Sequence, residues 1–105
     1  MSGREYPDRP WVGIGVVAFD GERVLLVQRG KPPRAGLWTL PGGAQHVGER
    51  AEAAARRELF EETGIEVGPL ELAAVVDAIS RDEACAVRFH YTIVDNCGRR
   101  VAGEA

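Results

Sequence analysis

Apolar residues in the first third of the chain fall into two runs of strand length. Trp11 to Phe19 reads WVGIGVVAF and Arg23 to Gln28 reads RVLLVQ, and both runs are rich in β-branched residues. The dipeptide Asp20-Gly21 stands between them and tolerates the positive φ angles that a tight hairpin turn needs. The pattern therefore predicts a β-hairpin that belongs to a central sheet.

Further along, strand-sized segments alternate with residues that favour turns. Two consecutive prolines predict a loop from Gly30 to Gly36, because proline lacks an N–H and fixes φ. Leu37 to Leu40 is predicted as a short strand, and it ends at the turn Pro41-Gly42-Gly43. The remaining predicted elements are strands at Pro69 to Ala78 and Val87 to Val94, followed by a turn at Asp95 to Arg99.

One segment has the composition and periodicity of a helix. Residues from Arg50 to Thr63 are mostly strong helix formers, and Gly64 follows where a left-handed residue commonly ends a helix. Apolar residues recur at helical spacing and predict a buried stripe of Ala51, Ala54, Ala55 and Leu59. These side chains are small enough for the helix to lie close to the sheet.

Composition narrows the class of protein. The 105 residues are enough for one domain, and 45% hydrophobic with 28% charged residues is the balance of a globular chain. A formal net charge of -3 gives no basic footprint for long nucleic acids. All but one of the Lys and Arg residues are Arg, whose forked guanidinium suits phosphate oxygens. We therefore expect a small phosphorylated ligand.

Signals for export and membrane insertion are not found in the sequence. The first ten residues are polar, and the longest apolar runs are too short to span a bilayer. Cys85 and Cys97 are too few and too isolated to form a zinc site. Reduced thiols and a cytoplasmic location are the expectation.

Three carboxylates crowd one face of the predicted helix. Glu58, Glu61 and Glu62 stand at positions i, i+3 and i+4, which are neighbours on a helix surface. Like charges at this spacing repel, so the face needs a cation, and Mg2+ or Mn2+ suits oxygen ligands. The alternative is a solvated acidic face, relieved by Arg56 and Arg57, on an unrelated fold.

A longer pattern surrounds these carboxylates. The segment GAQHVGERAEAAARRELFEETGI resembles the Nudix box, Gly-x5-Glu-x7-Arg-Glu-U-x-Glu-Glu-x-Gly-U, where U is aliphatic. Its nine fixed positions are matched by Gly43, Glu49, Arg57, Glu58, Leu59, Glu61, Glu62, Gly64 and Ile65. The order and spacing of the upstream hairpin, loop and WTLPGG segment are also similar to this family, so the resemblance covers Trp11 to about Val94.

The resemblance implies an α/β fold, with residues 1–105 forming a single Nudix domain. In that fold an α/β/α sandwich surrounds a mixed β-sheet. The strand and helix that usually follow in the family are missing from this sequence, which ends at Ala105. We therefore expect exposed apolar area on the sheet and pairing with a second copy of the chain as a homodimer.

The resemblance also implies roles for individual residues. Glu58, Glu61 and Glu62 match metal ligands, Gly42 matches a backbone carbonyl that joins them, and Glu49 helps hold the metal. Arg57 is expected to fix the carboxylates through charge-assisted bonds. Gly64 and Ile65 have structural roles at the helix end.

Substrate contacts and the general base lie partly outside the box. Arg29 is similar to an Arg that contacts substrate phosphate, and a surface Arg at a strand end is the alternative. Trp38 is a candidate for stacking on a base, with a place in the core as the alternative. Glu61 and Glu62 are candidate catalytic residues as well as ligands, and a loose alignment adds Glu104 as general base ahead of Glu83. His46 and His90 carry no prediction.

The implied reaction is metal-dependent hydrolysis of a diphosphate linkage. The segments RPWVGIGVV, RGKPPRAGLWTLPGGAQ, VVDAISRD and FHYTIVD resemble the bacterial ADP-ribose pyrophosphatase branch, so ADP-ribose, cleaved to AMP and ribose 5-phosphate, is the leading substrate. Alternatives are a pyrophosphohydrolase that removes diphosphate from nucleoside triphosphates and a non-catalytic nucleotide-binding module. The intact box favours an enzyme, and the missing C-terminal segment favours the module.

Overall fold

A computed structural model of the chain describes residues 4–30 and 36–105. Residues 31–35, which form most of the predicted loop from Gly30 to Gly36, lie outside the described residues. Eight strands and one helix occur in the two described ranges: β1 (Trp11–Asp20), β2 (Arg23–Val24), β3 (Val27–Gln28), β4 (Trp38–Thr39), β5 (Gly42–Ala44), α1 (Ala51–Thr63), β6 (Glu66–Val67), β7 (Glu71–Arg81) and β8 (Val87–Ala102).

The main sheet is mixed, as expected, and β8 lies at its centre. β8 pairs in parallel with β1 on one side and antiparallel with β7 and then β6 on the other. The free edge of β1 pairs antiparallel with β5 near its middle and with β2 at its end. β3 and β4 form a separate two-stranded sheet.

The second strand of the predicted hairpin is interrupted. β2 pairs only with Phe19 and Asp20, and Leu25 donates one further backbone bond to Ala18. The chain then leaves β1, and its next two strand residues, Val27–Gln28, pair with β4 instead. The physical reason is competition, because β5 occupies the rest of that edge of β1.

The predicted turn at Asp95 to Arg99 is wrong, because β8 continues through these residues to Ala102. Their Asp, Asn and Gly content is typical of a turn. Both neighbouring strands nevertheless offer backbone partners: β1 pairs with β8 as far as Arg99, and β7 pairs with it as far as Cys97. Tertiary pairing therefore overrides the local preference.

The helix prediction is confirmed. α1 buries Ala54, Ala55 and Leu59, which form one core cluster with Ile14 and Val16 of β1. Ala51 is partly buried beside this cluster, as the predicted stripe requires. The helix ends at Gly64, which has φ 73° and donates its N–H to the Phe60 carbonyl.

Within residues 4–30 and 36–105, α1 is the only helix. The described part of the chain therefore has a helical layer on one face of the sheet. The second helical layer of an α/β/α sandwich is not among these residues. With 13 residues and several charged side chains, α1 is too short and too polar to cross a membrane. Exposed apolar side chains are found on β7, as expected for a sheet without full cover.

Candidate functional site

The outer edge of β5 presents backbone groups to the helix. The Pro41 carbonyl accepts a bond from β1 at 2.9 Å, and the Gln45 N–H donates one to β1 at 3.1 Å. Bonded and non-bonded positions alternate along an antiparallel pair, so the N–H and C=O groups of Gly42 and Ala44 are directed away from β1. This free edge faces the side chains of α1.

Glu62 binds the first of these backbone groups, the N–H of Gly42. Its Oε2 accepts the Gly42 N–H at 2.8 Å. Burial raises the pKa of Glu62, and repulsion from Glu58 and Glu61 acts in the same direction, while the Gly42 N–H and the charge of Arg29 oppose the rise. Glu62 is therefore a carboxylate with above-ordinary affinity for a proton, held at Gly42 of β5.

Arg57 connects three carboxylates with the second free group of β5. Its Nε and NH2 bind the two oxygens of Glu49 at 2.6 and 3.0 Å, and NH2 also donates to the Ala44 carbonyl at 3.1 Å. Its NH1 donates to Glu58 at 2.6 Å and to Glu61 at 3.2 Å. These contacts, the bond to Glu49 first, raise the pKa of Arg57, so its charge is permanent.

The segment before α1 holds Glu49 in place. Oε1 of Glu49 accepts the backbone N–H of His46 at 3.1 Å, and the Glu49 carbonyl accepts Nε2 of Gln45 at 2.7 Å. The bond from Arg57, with help from the His46 N–H, lowers the pKa of Glu49 to about 2. The roles of Gln45 and His46 were not predicted, because a backbone donor and a variable box position leave no recognisable signal in a sequence.

Glu58 lies against Gly43 of β5. The turn predicted at Pro41-Gly42-Gly43 is wrong, because Gly42 and Gly43 are strand residues that pair with β1. A Cβ atom built on Gly43 would collide with the Glu58 carboxylate, so the absence of a side chain at Gly43 leaves room for Glu58 in its present position. The side chain of Glu58 is 16% exposed, whereas that of Glu61 is 59% exposed. Glu58 and Glu62 therefore both contact the glycines of β5, and Glu61 is the more exposed of the three.

The chemistry of this group suits a hard divalent cation. The side chains that could bind a metal here are all carboxylates, and the Gly42 carbonyl oxygen, a further possible ligand, lies on the free edge of β5. Arg57 is the one arginine paired with Glu49, Glu58 and Glu61 among the described residues, so negative charge is in excess. Within residues 4–30 and 36–105, however, no three acidic, His or Cys side chains are already grouped around one point as ligands.

The alternative of an acidic face relieved by two arginines fits only in part. Arg56 turns away from the three glutamates and donates to the carbonyls of Val67 and Gly68 at 2.7 and 2.9 Å. Its ion pair is with Glu52, at 3.6 Å. Of the two arginines, only Arg57 therefore serves the carboxylate group, and it approaches Glu58 and Glu61 from one side.

Arg29 directly follows β3 and Trp38 lies on β4, the two strands of the small sheet that precedes β5. The Arg29 N–H donates to the Leu37 carbonyl at 2.8 Å, and its side chain is exposed and acts on Glu62 electrostatically. Trp38 is 64% exposed, so it is not a core residue. Both predicted substrate contacts are thus surface groups, and Arg29 is close enough to Glu62 to act on its charge.

Glu104 lies apart from the group formed by Glu58, Glu61 and Glu62. It lines a cavity of about 400 Å³ together with Asp20, Arg23, Ile65 and Arg100. No hydrogen bond or ion pair within the described part of the chain links Glu104 to Glu58, Glu61 or Glu62. The role of Glu104 as general base stays a prediction without support from these contacts.

Comparisons with known proteins agree with this site. The NUDIX domain family model matches residues 9–102. "Putative 8-oxo-dGTP diphosphatase 2" of Mycobacterium tuberculosis is 49% identical over 65 residues, which are 61% of this chain and 44% of that protein. The ADP-ribose pyrophosphatase of Methanocaldococcus jannaschii is 34% identical over 73 residues, which are 70% of this chain and 43% of that protein. The chain thus spans less than half the length of these curated relatives.

A solved structure has the same fold. The crystal structure of a MutT NUDIX hydrolase from Burkholderia pseudomallei superimposes with a TM-score of 0.81 and 36% identity. The match covers 92% of this chain and 72% of that one.

Proposed function

Because the chain belongs to the NUDIX domain family, we propose that it hydrolyses the diphosphate linkage of a nucleoside diphosphate derivative. The observation that carries the proposal is the grouping of Glu58, Glu61 and Glu62 beside Gly42 and Gly43 of β5, where Arg57 binds Glu58 and Glu61 and the Gly42 N–H binds Glu62. Family members generally need a divalent metal. The excess negative charge gives this chain a physical reason for the same need.

We infer that Glu58, Glu61 and Glu62, with the Gly42 carbonyl, hold Mg2+ or Mn2+, and that Glu49 assists them. When bound, the cation supplies charge neutralisation at the phosphate oxygens and acidifies water. Arg57 orients the carboxylates, because its donors already bind Glu49, Glu58 and Glu61 at once.

The side chains around the carboxylates would bind the substrate. Arg29 carries its charge close to Glu62, where its planar fork can bond two phosphate oxygens. Trp38 exposes most of its ring and would stack on the base. Burial raises the pKa of Glu62, which makes its carboxylate a better proton acceptor than an ordinary glutamate. We propose Glu61 and Glu62 as the catalytic residues, and we expect Glu104, which lines a cavity with Asp20 and Arg100, to contribute little.

Two substrates have support from specific relatives. The Mycobacterium tuberculosis relative favours a nucleoside triphosphate, which would be cut to a monophosphate and diphosphate. The Methanocaldococcus jannaschii relative favours ADP-ribose, which would give AMP and ribose 5-phosphate. The carboxylate group does not discriminate between these two substrates, because both present the same diphosphate. A small nucleotide partner and a cytoplasmic location are part of this proposal.

A panel assay tests the function. The protein is incubated with Mg2+ and ADP-ribose, nucleotide sugars, dinucleoside polyphosphates, 8-oxo-dGTP or ordinary nucleoside triphosphates, and products are separated by ion-exchange chromatography. We expect turnover of one class that stops when the metal is chelated. Glu61→Gln and Glu62→Gln should abolish it, and Glu104→Gln should leave most of it.

Glu52→Gln is the matched control, because Glu52 lies on the same helix and pairs with Arg56 away from the site. Wild-type rates in both Glu61→Gln and Glu62→Gln would show that the metal site is wrongly assigned. Nucleotide binding without turnover across the whole panel would favour the non-catalytic module.

A further inference from the structure

Asp95 on β8 is a carboxylate that the rest of the site does not use. Its neighbour Val94 packs against the core cluster beneath α1, and successive side chains of a strand point to opposite faces. Asp95 therefore points to the face of the sheet opposite α1. Within the described part of the chain its side chain has no hydrogen bond and no ion pair. Burial raises the pKa of Asp95, and no donor opposes the rise.

The carboxylate of Asp95 fills the space of a missing side chain on β1. Asp95 lies beside Gly15 in the parallel pair of β1 and β8. A Cβ atom built on Gly15 would collide with Oδ1 of Asp95, whereas a Cβ on Gly13 would meet Ile93 and Tyr91 at ordinary contact distances of 3.4 and 3.7 Å. The Asp95 carboxylate therefore lies over Gly15, on the side of β8 that leads toward β5.

Gly15 connects this carboxylate with the proposed metal site. On its other side, Gly15 lies directly opposite Gly42 of β5. The adjacent pair is hydrogen-bonded, from the Val16 N–H to the Pro41 carbonyl at 2.9 Å. Gly15 and Gly42 are therefore a non-hydrogen-bonded pair, whose Cα atoms lie about 4.5 Å apart. The carboxylate over Gly15 is thus about one strand spacing from Gly42, whose N–H binds Glu62.

The short distance from Gly42 decides which part of a nucleotide this carboxylate can reach. In a nucleoside diphosphate derivative, the ribose directly follows the diphosphate, and the base lies beyond the ribose. An ionised carboxylate only accepts hydrogen bonds, and its two oxygens can take two neighbouring donors. The adjacent hydroxyl groups at C2′ and C3′ of ribose are such a donor pair, and hydroxyl bonds to a charged oxygen are among the stronger ones.

We propose that Asp95 binds the two adjacent ribose hydroxyl groups of the substrate, so that the site selects ribonucleotides over deoxyribonucleotides. The inference rests on the proposed function for the position of the diphosphate at Gly42. A deoxynucleotide would leave one oxygen of a partly buried carboxylate without its donor, which lowers affinity. Asp95 thus favours ADP-ribose over a deoxynucleoside triphosphate, a choice that the glutamates of α1 do not make.

Calorimetric titration with nucleotides tests this selection without requiring turnover. ADP, 2′-deoxy-ADP, 3′-deoxy-ADP and GDP are titrated into the protein in the presence of Mg2+. The wild-type chain should bind ADP about tenfold more tightly than either deoxy compound. Asp95→Asn should weaken ADP binding about tenfold and change the binding of the deoxy compounds little, so the preference is lost. Asp77→Asn is the matched control, because Asp77 is an exposed carboxylate on the neighbouring strand β7.

Two glycine variants move the carboxylate without removing its charge. The methyl group of Gly15→Ala would displace the Asp95 carboxylate, so this variant should also lose the preference for ADP. Gly13→Ala adds a methyl group at ordinary contact distance from Ile93 and Tyr91, so it should keep the preference. Circular dichroism checks that each variant is folded.

Several results would overturn the assignment. These are a wild-type chain that fails to bind ADP or binds ADP and its deoxy forms equally, and a preference that survives Asp95→Asn. A change in that variant confined to GDP relative to ADP would show that Asp95 contacts the base instead of the ribose. A chain that prefers ADP but hydrolyses nothing in the substrate panel would contradict only the proposed hydrolysis. Turnover without a preference for ribose would contradict only the role of Asp95.

Discussion

Arg57 binds both carboxylate oxygens of Glu49, with Nε 2.6 Å from Oε2 and NH2 3.0 Å from Oε1. Two parallel bonds fix the plane of the guanidinium as well as its position. The remaining donors then reach Glu58, Glu61 and the Ala44 carbonyl. The orientation of the carboxylate group thus depends on the shape of this side chain and not only on its charge.

Arg57→Lys should lower turnover roughly 10- to 100-fold and weaken Mg2+ activation, as is typical when a residue that orients metal ligands is changed. A lysine keeps the charge but cannot bind Glu49 through two bonds and reach Glu58 as well. Activity is measured as a function of Mg2+ concentration. Arg56→Lys is the control, because Arg56 donates to Val67 and Gly68 instead. An equal loss in the control would argue against a specific role for Arg57.

At acidic pH, the free energy of unfolding of the chain should depend on the charge of Glu49. Its pKa is lowered from 4.5 to about 2 in the folded chain, chiefly by the bond from Arg57. The stabilisation is therefore fully present above pH 4.5 and is lost as pH falls toward 2. Urea unfolding between pH 6 and pH 2 should show a smaller decline for Glu49→Gln than for the wild type. Glu52→Gln, whose ion pair is exposed, should follow the wild type.

Gly43→Ala should disturb the ligand group without unfolding the chain. The added methyl would meet the Glu58 carboxylate and push it away from β5. We expect the Mg2+ concentration for half-maximal activity to rise about tenfold or more. Gly30→Ala is the matched control, because a Cβ there meets no atom of the described residues within 4 Å. Unchanged metal dependence in Gly43→Ala would mean that Glu58 is not a ligand.

Leu59 and Phe60 are neighbours on α1 with opposite surroundings. Leu59 is fully buried in the core cluster, whereas Phe60 is mostly exposed. Leu59→Ala should lower the free energy of unfolding by about 2–5 kcal/mol, because it removes buried methyl groups and leaves a cavity. Phe60→Ala should lower the free energy of unfolding much less, because Phe60 is mostly exposed. Urea denaturation compares them, and similar losses would contradict the packing of α1 on β1.

Trp38 gives a direct optical signal for ligand binding. The chain has two tryptophans, so Trp11→Phe leaves Trp38 as the only one. Stacking of a nucleobase on its exposed ring should quench its fluorescence as nucleotide is added. Trp38→Phe reports the signal of Trp11 and should respond weakly. Quenching confined to Trp11 would remove Trp38 from the binding site.

The sequence was sufficient to predict the structure where the local pattern of residues agrees with their tertiary contacts. The buried stripe of Ala54, Ala55 and Leu59 follows from helical spacing, and Gly64 follows from the need for a positive φ. The glutamates on one helix face were likewise readable from spacing. These features depend on geometry within one element, which composition and period specify directly.

Other features depend on partners that are distant in the chain. Asp95 to Arg99 has turn composition but is a strand, because β1 and β7 approach it from both sides. The strand predicted from Arg23 to Gln28 breaks because β5 competes for the same edge. The bonds of Arg57 to the Ala44 carbonyl and of Glu49 to the His46 N–H involve backbone groups, which every residue has.

The helix bonds to alternate positions of β5, through the Gly42 N–H and the Ala44 carbonyl, while Glu58 packs against Gly43 between them. A slip of this three-residue strand that brought Ala44 to the place of Gly43 would direct the Ala44 methyl at Glu58. Such a chain would keep the large sheet and α1, so circular dichroism would count it as folded. The active fraction of a preparation is therefore to be titrated separately from its folded fraction.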